Sequence, residues 1–263
     1  MPDHNGRPKL SSRQETILNL VDQRGFVATE DMVEHFGVTP QTVRRDINML
    51  CELGMLQRFH GGAGRQLSAE NAPYLDRLQA GSKAKRDIAQ LAASQIPNGA
   101  SLFVNIGTTT EAVALALGGH RDLSIVTNNI NVANILRANE TFRIMVAGGH
   151  VRQSDGGIVG EATTAFVNQF RLDIGVIGVS GIDTDGALLD FDYQETLTAR
   201  AIIDNSRTVF LVTDHSKFGR HAMTSFGDLS DIDHLFTDRT PPEQFAKALD
   251  AANVVTHIVS PQD

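Results

Sequence analysis

The feature that most constrains this chain is an alternation. Six short apolar runs, at residues 102–106, 123–126, 142–147, 174–179, 209–213 and 254–259, are separated by stretches with helical spacing, and a further helix is expected over residues 83–95. Runs that are apolar throughout read as strands buried on both faces, and the helices between them supply the cover, so an α/β domain with a mainly parallel, doubly wound sheet is expected. At 263 residues, 41% of them hydrophobic, the chain has enough material for one or two cores. No apolar run approaches the roughly 20 residues of a membrane helix, and the first ten residues are polar. The single cysteine, Cys51, excludes an internal disulfide framework and any cysteine-pair zinc site. A cytoplasmic protein without membrane association is expected. The nine histidines show no ligand spacing, so neither a metal nor a cofactor is expected.

The first sixty residues lack this alternation. Ser12 with Glu15 reads as a capping box for a first helix with an apolar stripe of Ile17, Leu18, Leu20 and Val21, stopped by Gly25. Thr29 reads as the cap of a short second helix whose apolar face is Met32, Val33 and Phe36, stopped by Gly37. Thr39 then caps, and Pro40 opens, a third helix reaching about Leu53, before Gly54. Three tightly joined helices suggest a helix-turn-helix. On the third, Val43, Ile47 and Leu50 share one face while Gln41, Arg45, Asn48 and Glu52 lie opposite, flanked by Thr42 and Arg44. Gln and Arg at a helix start are suited to base edges in a major groove, although an ordinary solvated face reads the same way at this level. Asp46 falls nearer the apolar side and is expected to hold an arginine or a backbone donor. Cys51 reads as a packing residue.

A strand over residues 55–59 and a turn at Gly61-Gly62, edged by Arg58 and His60, read as a wing. Charge supports this division of labour. Residues 1–65 hold eight basic and eight acidic side chains, so the whole net charge of −8 belongs to the remainder, and only the first segment tolerates a polyanion. Periodicity then weakens across residues 66–82, with Pro73 and Gly81 interrupting, which suggests a linker between residues 1–65 and 83–263. In the larger part, polar loops follow the first three apolar runs: Gly107-Thr108-Thr109-Thr110, Thr127-Asn128-Asn129 and Gly148-Gly149. Donor-rich loops at the carboxyl ends of parallel strands suit a phosphorylated metabolite, whereas each alone is an ordinary helix cap.

Arg13, Ile17 and Val21, the run Thr39-Pro40-Gln41-Thr42-Val43-Arg44-Arg45-Asp46-Ile47, and Arg58-Phe59-His60-Gly61-Gly62-Ala63 closely resemble the DeoR family of bacterial transcriptional repressors. The likeness continues through Asn105-Ile106-Gly107-Thr108-Thr109, Thr127-Asn128-Asn129, Gly148-Gly149, Gly178-Val179-Ser180-Gly181, Glu195 and Asp214-His215-Ser216-Lys217-Phe218-Gly219, and so spans nearly the whole chain. It implies a winged helix-turn-helix and a sensor domain similar in fold to ribose-5-phosphate isomerase and glucosamine-6-phosphate deaminase. By that resemblance Gln41, Thr42, Arg44 and Arg45 are expected at operator DNA, with Thr39, Arg58 and His60 positioning its phosphates. Asn105, Gly107, Thr108, Thr109, Thr127, Asn128, Gly148, Gly149, Gly181 and Glu195 are expected around the effector, with Lys217 and Arg152 as phosphate counter-charges.

Asp155-Gly156-Gly157-Ile158, Gln169-Phe170-Arg171-Leu172-Asp173, Phe191-Asp192-Tyr193 and the segment 214–220 look like the members that answer to glycerol-3-phosphate, which makes that ester the expected inducer. Asn105 departs from the family's usual Asp, replacing an acceptor-only carboxylate with an amide. One short recognition helix reads few base pairs, so a homo-oligomer, dimer or tetramer, is expected. The alternative is a phosphosugar isomerase or deaminase using Asp183, Asp185, Asp190 and Glu195 as proton carriers. The preferred account of those acids is that they are turn residues around Gly186, and the chain is expected not to be an enzyme.

Overall fold

A computed structural model of the chain describes residues 10–24, 26–53, 55–59, 61–64 and 73–260. The chain divides into two compact units, residues 1–68 and 69–263.

The smaller unit has three helices, α1 (Ser12–Arg24), α2 (Thr29–Phe36) and α3 (Pro40–Glu52), and three short strands, β1 (Phe26–Ala28), β2 (Gln57–Phe59) and β3 (Gly62–Gly64). The strands form one antiparallel sheet in the order β1-β3-β2. The capping box at α1 lies one residue earlier than expected. Ser11 Oγ accepts from the Gln14 amide at 3.3 Å, and Gln14 Oε1 accepts from the Ser11 amide at 2.9 Å, so Gln rather than Glu15 closes the reciprocal pair. Thr29 lies inside α2, which starts from Ala28 without a side-chain cap. Gly37 ends α2 in the left-handed conformation, and Thr39 caps α3 with Pro40 in its first turn, both as expected. The stops expected at Gly25 and Gly54 lie outside the described residues. Ile17, Val21, Val27, Met32, Val43, Ile47, Leu50, Leu56 and Ala63 form the core, against which Cys51 packs.

In the larger unit α4 (Tyr74–Gln79) and α5 (Ser82–Ser94) lead into β4 (Ser101–Val104), α6 (Thr108–Ala116), β5 (Ser124–Thr127), α7 (Ile130–Leu136) and β6 (Arg143–Val146). A hairpin, β7 (His150–Val151) with β8 (Ile158–Val159), precedes α8 (Glu161–Val167) and β9 (Leu172–Ile177). Next come β10 (Gly181–Ile182), β11 (Ala187–Asp190), α9 (Tyr193–Asp204), β12 (Ser206–Val212) and β13 (Thr224–Asp228). The last elements are β14 (His234–Thr237), α10 (Glu243–Ala251) and β15 (Val255–Ile258).

Seven strands pair in parallel in the order β15-β14-β12-β9-β4-β5-β6, and β10-β11-β13 form a separate antiparallel sheet. Successive residues of β4 point to opposite faces. Leu102 and Val104 join a core built with α5, α6 and α7, and Phe103 joins one built with α9 and α10. The sheet is thus covered on both sides. All six expected strands are present, but β14 and the antiparallel strands were not anticipated. No helix among the described residues is long and apolar enough to cross a membrane.

Strand order reverses beside β4. The chain moves outward from β4 to β5 and β6, then returns to place β9 on the opposite side of β4. Loops leaving β4 and β9 therefore run in different directions and open a crevice at their carboxyl ends. Close backbone packing surrounds it: a Cβ on Gly181 would stand 2.0 Å from the Arg220 carbonyl oxygen. Gly181→Ala should therefore destabilise the protein by about 3 kcal/mol in urea unfolding, whereas Gly118→Ala, with open space, should stay within about 0.5 kcal/mol of the parent.

Candidate functional site

The exposed side of α3 presents Gln41, Arg44, Arg45 and Asn48, while Val43, Asp46, Ile47 and Leu50 are buried. Among the described residues no hydrogen bond engages the Gln41, Arg44 or Arg45 side chains. Thr39 is already employed: its Oγ1 accepts from the Thr42 amide at 3.3 Å and lies 2.9 Å from Thr42 Oγ1, a cap of the kind that contributes about 1 kcal/mol. Arg58 on β2 donates through Nη1 to Asn48 Oδ1 at 2.9 Å, which ties the strand to the polar face of α3. His60 lies outside the described residues. Asp46 would repel phosphate if it faced outward, but it is buried and accepts from Arg13 Nε at 2.6 Å and from Gln14 Nε2 at 3.2 Å.

In the larger unit, the crevice beside β4 holds two buried acceptors with no partner among the described residues, Asn105 Oδ1 and Asn128 Oδ1. Burying an amide oxygen unbonded costs about 1–3 kcal/mol, so such atoms call for an explanation. The neighbouring groups do not satisfy them. Thr110 Oγ1 donates within its own loop, where the Asn105 and Gly107 carbonyls lie at 2.7 and 2.8 Å. Thr127 Oγ1 donates to the Val104 carbonyl, and Asn128 Nδ2 to that of Ile158. Gly107 opens α6 with φ +145°, and Thr108 and Thr109 lie in its first turn.

Cations gather beyond the end of β12. Burial pushes the Lys217 ammonium down to about 7, Arg220, Lys85 and Arg77 add to the shift by repulsion, and Asp214 opposes it. Lys217 makes no hydrogen bond or ion pair among the described residues. Lys85, on α5, is likewise lowered by burial and donates to the Arg77 carbonyl. Burial raises Asp214, yet the Lys217 charge and the bonds from Ser216 outweigh it and hold the carboxyl below its usual range. Asp214, with Glu111 near Lys85, is thus set among Lys217, Lys85, Arg220 and Arg77, a surplus that favours an anion.

A second cluster is closed. Arg152 donates through Nε and Nη2 to both Asp155 oxygens at 2.9 and 2.8 Å, through Nη1 to Asp192 at 2.7 Å, and through Nη2 to Glu195 at 2.6 Å. Arg77 adds a bond to Asp155 at 3.1 Å. Burial, and then the charge of Asp190, push Glu195 up to about 8 against the pull of Arg152, and burial raises Asp190 as well. The expectation that Arg152 offers its charge to a phosphate is therefore corrected, because three carboxylates already occupy its donors. The turn-residue account fits Asp183, Asp185 and Asp190, which accept from the Thr184, Ala187 and Phe191 amides, but not Glu195, which is buried against Arg152.

The first part of the chain, residues 13–68, matches the DeoR-like helix-turn-helix domain, and residues 81–239 match the DeoR C terminal sensor domain. The chain belongs to the DeoR family. It is a DeoR-type transcriptional repressor, with a DNA-binding module followed by a sensor module. It is similar to the glycerol-3-phosphate regulon repressor of Escherichia coli, 54% identical over 92% of this chain and 96% of that one. The repressor of the same description from Haemophilus influenzae is 55% identical over 89% and 91%. Among solved structures, a ribose 5-phosphate isomerase from Plasmodium falciparum aligns over 51% of this chain and 52% of its own at 14% identity, with a TM-score of 0.38.

Several residues expected at the DeoR effector site have internal work. Thr127 braces β4 and accepts from the Asn129 amide. The Gly148 carbonyl accepts from Thr163 Oγ1, and a Cβ on Gly149 would stand 2.2 Å from that oxygen. Gly181 accommodates the Arg220 backbone. Lys85, Arg77 and Arg220, by contrast, escaped the sequence reading. They come from α5, α4 and the segment after β12, and no local motif groups them. In the DNA-binding module, Asp46→Ala should strand the buried Gln14 amide and the Arg13 guanidinium, destabilising the protein by about 2 kcal/mol in chemical unfolding.

Proposed function

We propose that this repressor reads its operator with Gln41, Thr42, Arg44 and Arg45 and is released by glycerol-3-phosphate bound in the crevice beside β4. The observation that carries the effector reading is chemical complementarity. The enclosed cation of Lys217 has no hydrogen-bonding partner among the described residues, and the buried oxygens of Asn105 and Asn128 need donors. A phosphorylated polyol supplies an anion and hydroxyl donors in one small molecule. Similarity to repressors of a glycerol-3-phosphate regulon supports that ester over other phosphates. Thr108, Thr109 and the amides at the start of α6 add donors at the crevice, and Thr39 and Arg58 place the recognition helix against DNA phosphates.

The chain is a regulator and does not turn over phosphosugars. Asp190 and Glu195, the pair that would shuttle protons, are anchored around Arg152, whose donors hold Glu195 in place. It acts as a homo-oligomer in the cytoplasm, since two recognition helices are needed to cover paired half-sites.

Replacing Arg44 and Arg45 together with alanine should abolish preference for operator over random duplex at matched salt, with calorimetric binding of glycerol-3-phosphate retained. In the parent protein glycerol-3-phosphate should release the operator in an anisotropy titration, and glycerol should not. Unchanged operator preference in the double variant would overturn the first assignment. Lys217 supplies a sharper test of the ligand. Because its ammonium titrates near 7 in the free protein, most of it is neutral at pH 8, and a phosphate dianion drives it to charge. Binding at pH 8 should therefore take up close to one proton, read from calorimetry in buffers of differing ionisation enthalpy, and Lys217→Met should bind far more weakly without that uptake.

A further inference from the structure

Helix α4 is held in an unusual way. It has six residues and no buried side chain, and Leu75 and Leu78 are exposed. So short a helix is not stable by itself, and apolar packing does not secure this one. Polar tethers do. Tyr74 donates its hydroxyl to Glu111 Oε2 at 2.7 Å and accepts from Asn131 Nδ2 at 3.2 Å. Arg77 reaches Asp155 from the same helix. Lys85 donates to the Arg77 carbonyl, so a lysine of α5 caps the last turn of α4.

One of those tethers, the contact from Lys85, belongs to the cation cluster. Lys85 and Arg77 both act electrostatically on Lys217, so an anion that docks on Lys217 lies within the field of both. A bond from an ammonium to a phosphate is considerably stronger than one to a neutral carbonyl. The bound ester therefore competes for Lys85 and removes the cap from α4, and it draws Arg77 away from Asp155. In chain order α4 is the first described element of the larger unit, ten residues after Gly64 at the end of β3. A change in α4 thus occurs in the described element of the larger unit nearest in sequence to the DNA-binding module.

We propose that α4 is a polar latch on the effector crevice, released when the phosphate of the effector takes Lys85 from the Arg77 carbonyl, and that this release lowers operator affinity. The inference rests on the effector reading given above and adds to it the element that carries the signal.

Tyr74→Phe tests it in the full chain, because it cuts a tether without altering Lys217, Lys85 or Asn105. Linkage fixes the signs. If the latched form binds operator and the released form binds effector, the variant should bind operator about fivefold or more weakly and glycerol-3-phosphate correspondingly more tightly. A merely structural tyrosine would not move the two affinities in opposite directions. Independently, hydrogen exchange at the Arg77 and Ala80 amides, which close α4 through the Pro73 and Asp76 carbonyls, should speed up in the parent protein with glycerol-3-phosphate and not with glycerol. Unchanged exchange at saturating ester, or a variant whose two affinities match the parent or fall together, would overturn the latch. Both results leave the effector reading intact if calorimetry still shows Lys217-dependent binding; absence of that binding would overturn both.

Discussion

The reversal of strand order beside β4 is the constraint on which the larger unit depends. A parallel sheet wound in one direction would carry each loop over the next strand and close its carboxyl edge. Here the chain builds β5 and β6 outward, then crosses back to lay β9 against the other side of β4. The Asn105 amide still bonds to the Val176 carbonyl at 3.0 Å, so the sheet is continuous up to the divergence. Beyond it, the covering helices cannot fill the gap. Polar loops line it, and two of the buried acceptors without partners among the described residues, Asn105 Oδ1 and Asn128 Oδ1, lie there.

Electrostatics then divides the residues near this edge into two groups with opposite consequences. Around Arg152 the charges are matched: Asp155 and Asp192 offset the two arginines, while burial raises both Asp190 and Glu195 and so disfavours further negative charge there. Such a cluster fixes the β7–β8 hairpin to the start of α9 and has little to offer a ligand. Around Lys217 the charges are unmatched, with Asp214 facing Lys217 and Lys85, and Arg220 adding its charge at Lys217. The depressed ammonium of Lys217 expresses that imbalance, and an incoming anion relieves it.

How much of this was legible in the sequence depends on the range of the interaction. Thr39 and Pro40 announce α3, and Val43, Ile47 and Leu50 its buried face, because capping and helical periodicity are local. Asp46 was readable as an internal partner from its position beside that face, although nothing in sequence singled out Gln14. The runs of β4, β5 and β12 are plain, whereas β14 carries only two consecutive apolar residues, Leu235 and Phe236, between Asp233-His234 and Thr237-Asp238. The two-residue strands β7, β8 and β10 exist only through their partners. Arg152 looked like a free cation because its carboxylates at positions 192 and 195 are some forty residues away. Lys85 read simply as a polar residue of α5, and its burial depends on α4 folding over it.

Asn105 gains a reason from the same physics. The aspartate that the DeoR resemblance leads one to expect at this place would add a carboxylate near a cationic field that Asp214 and Glu111 already offset in part. An amide keeps an acceptor oxygen, which the proposed effector's hydroxyl would engage, and removes the charge. The desolvation penalty of a buried carboxylate is thereby avoided, and the field acting on a phosphate remains more positive. Substitution at this position therefore need not cost hydroxyl recognition. Under the effector reading proposed above, its main consequence falls on the anion, whose attraction to Lys217 and Lys85 competes with one carboxylate fewer.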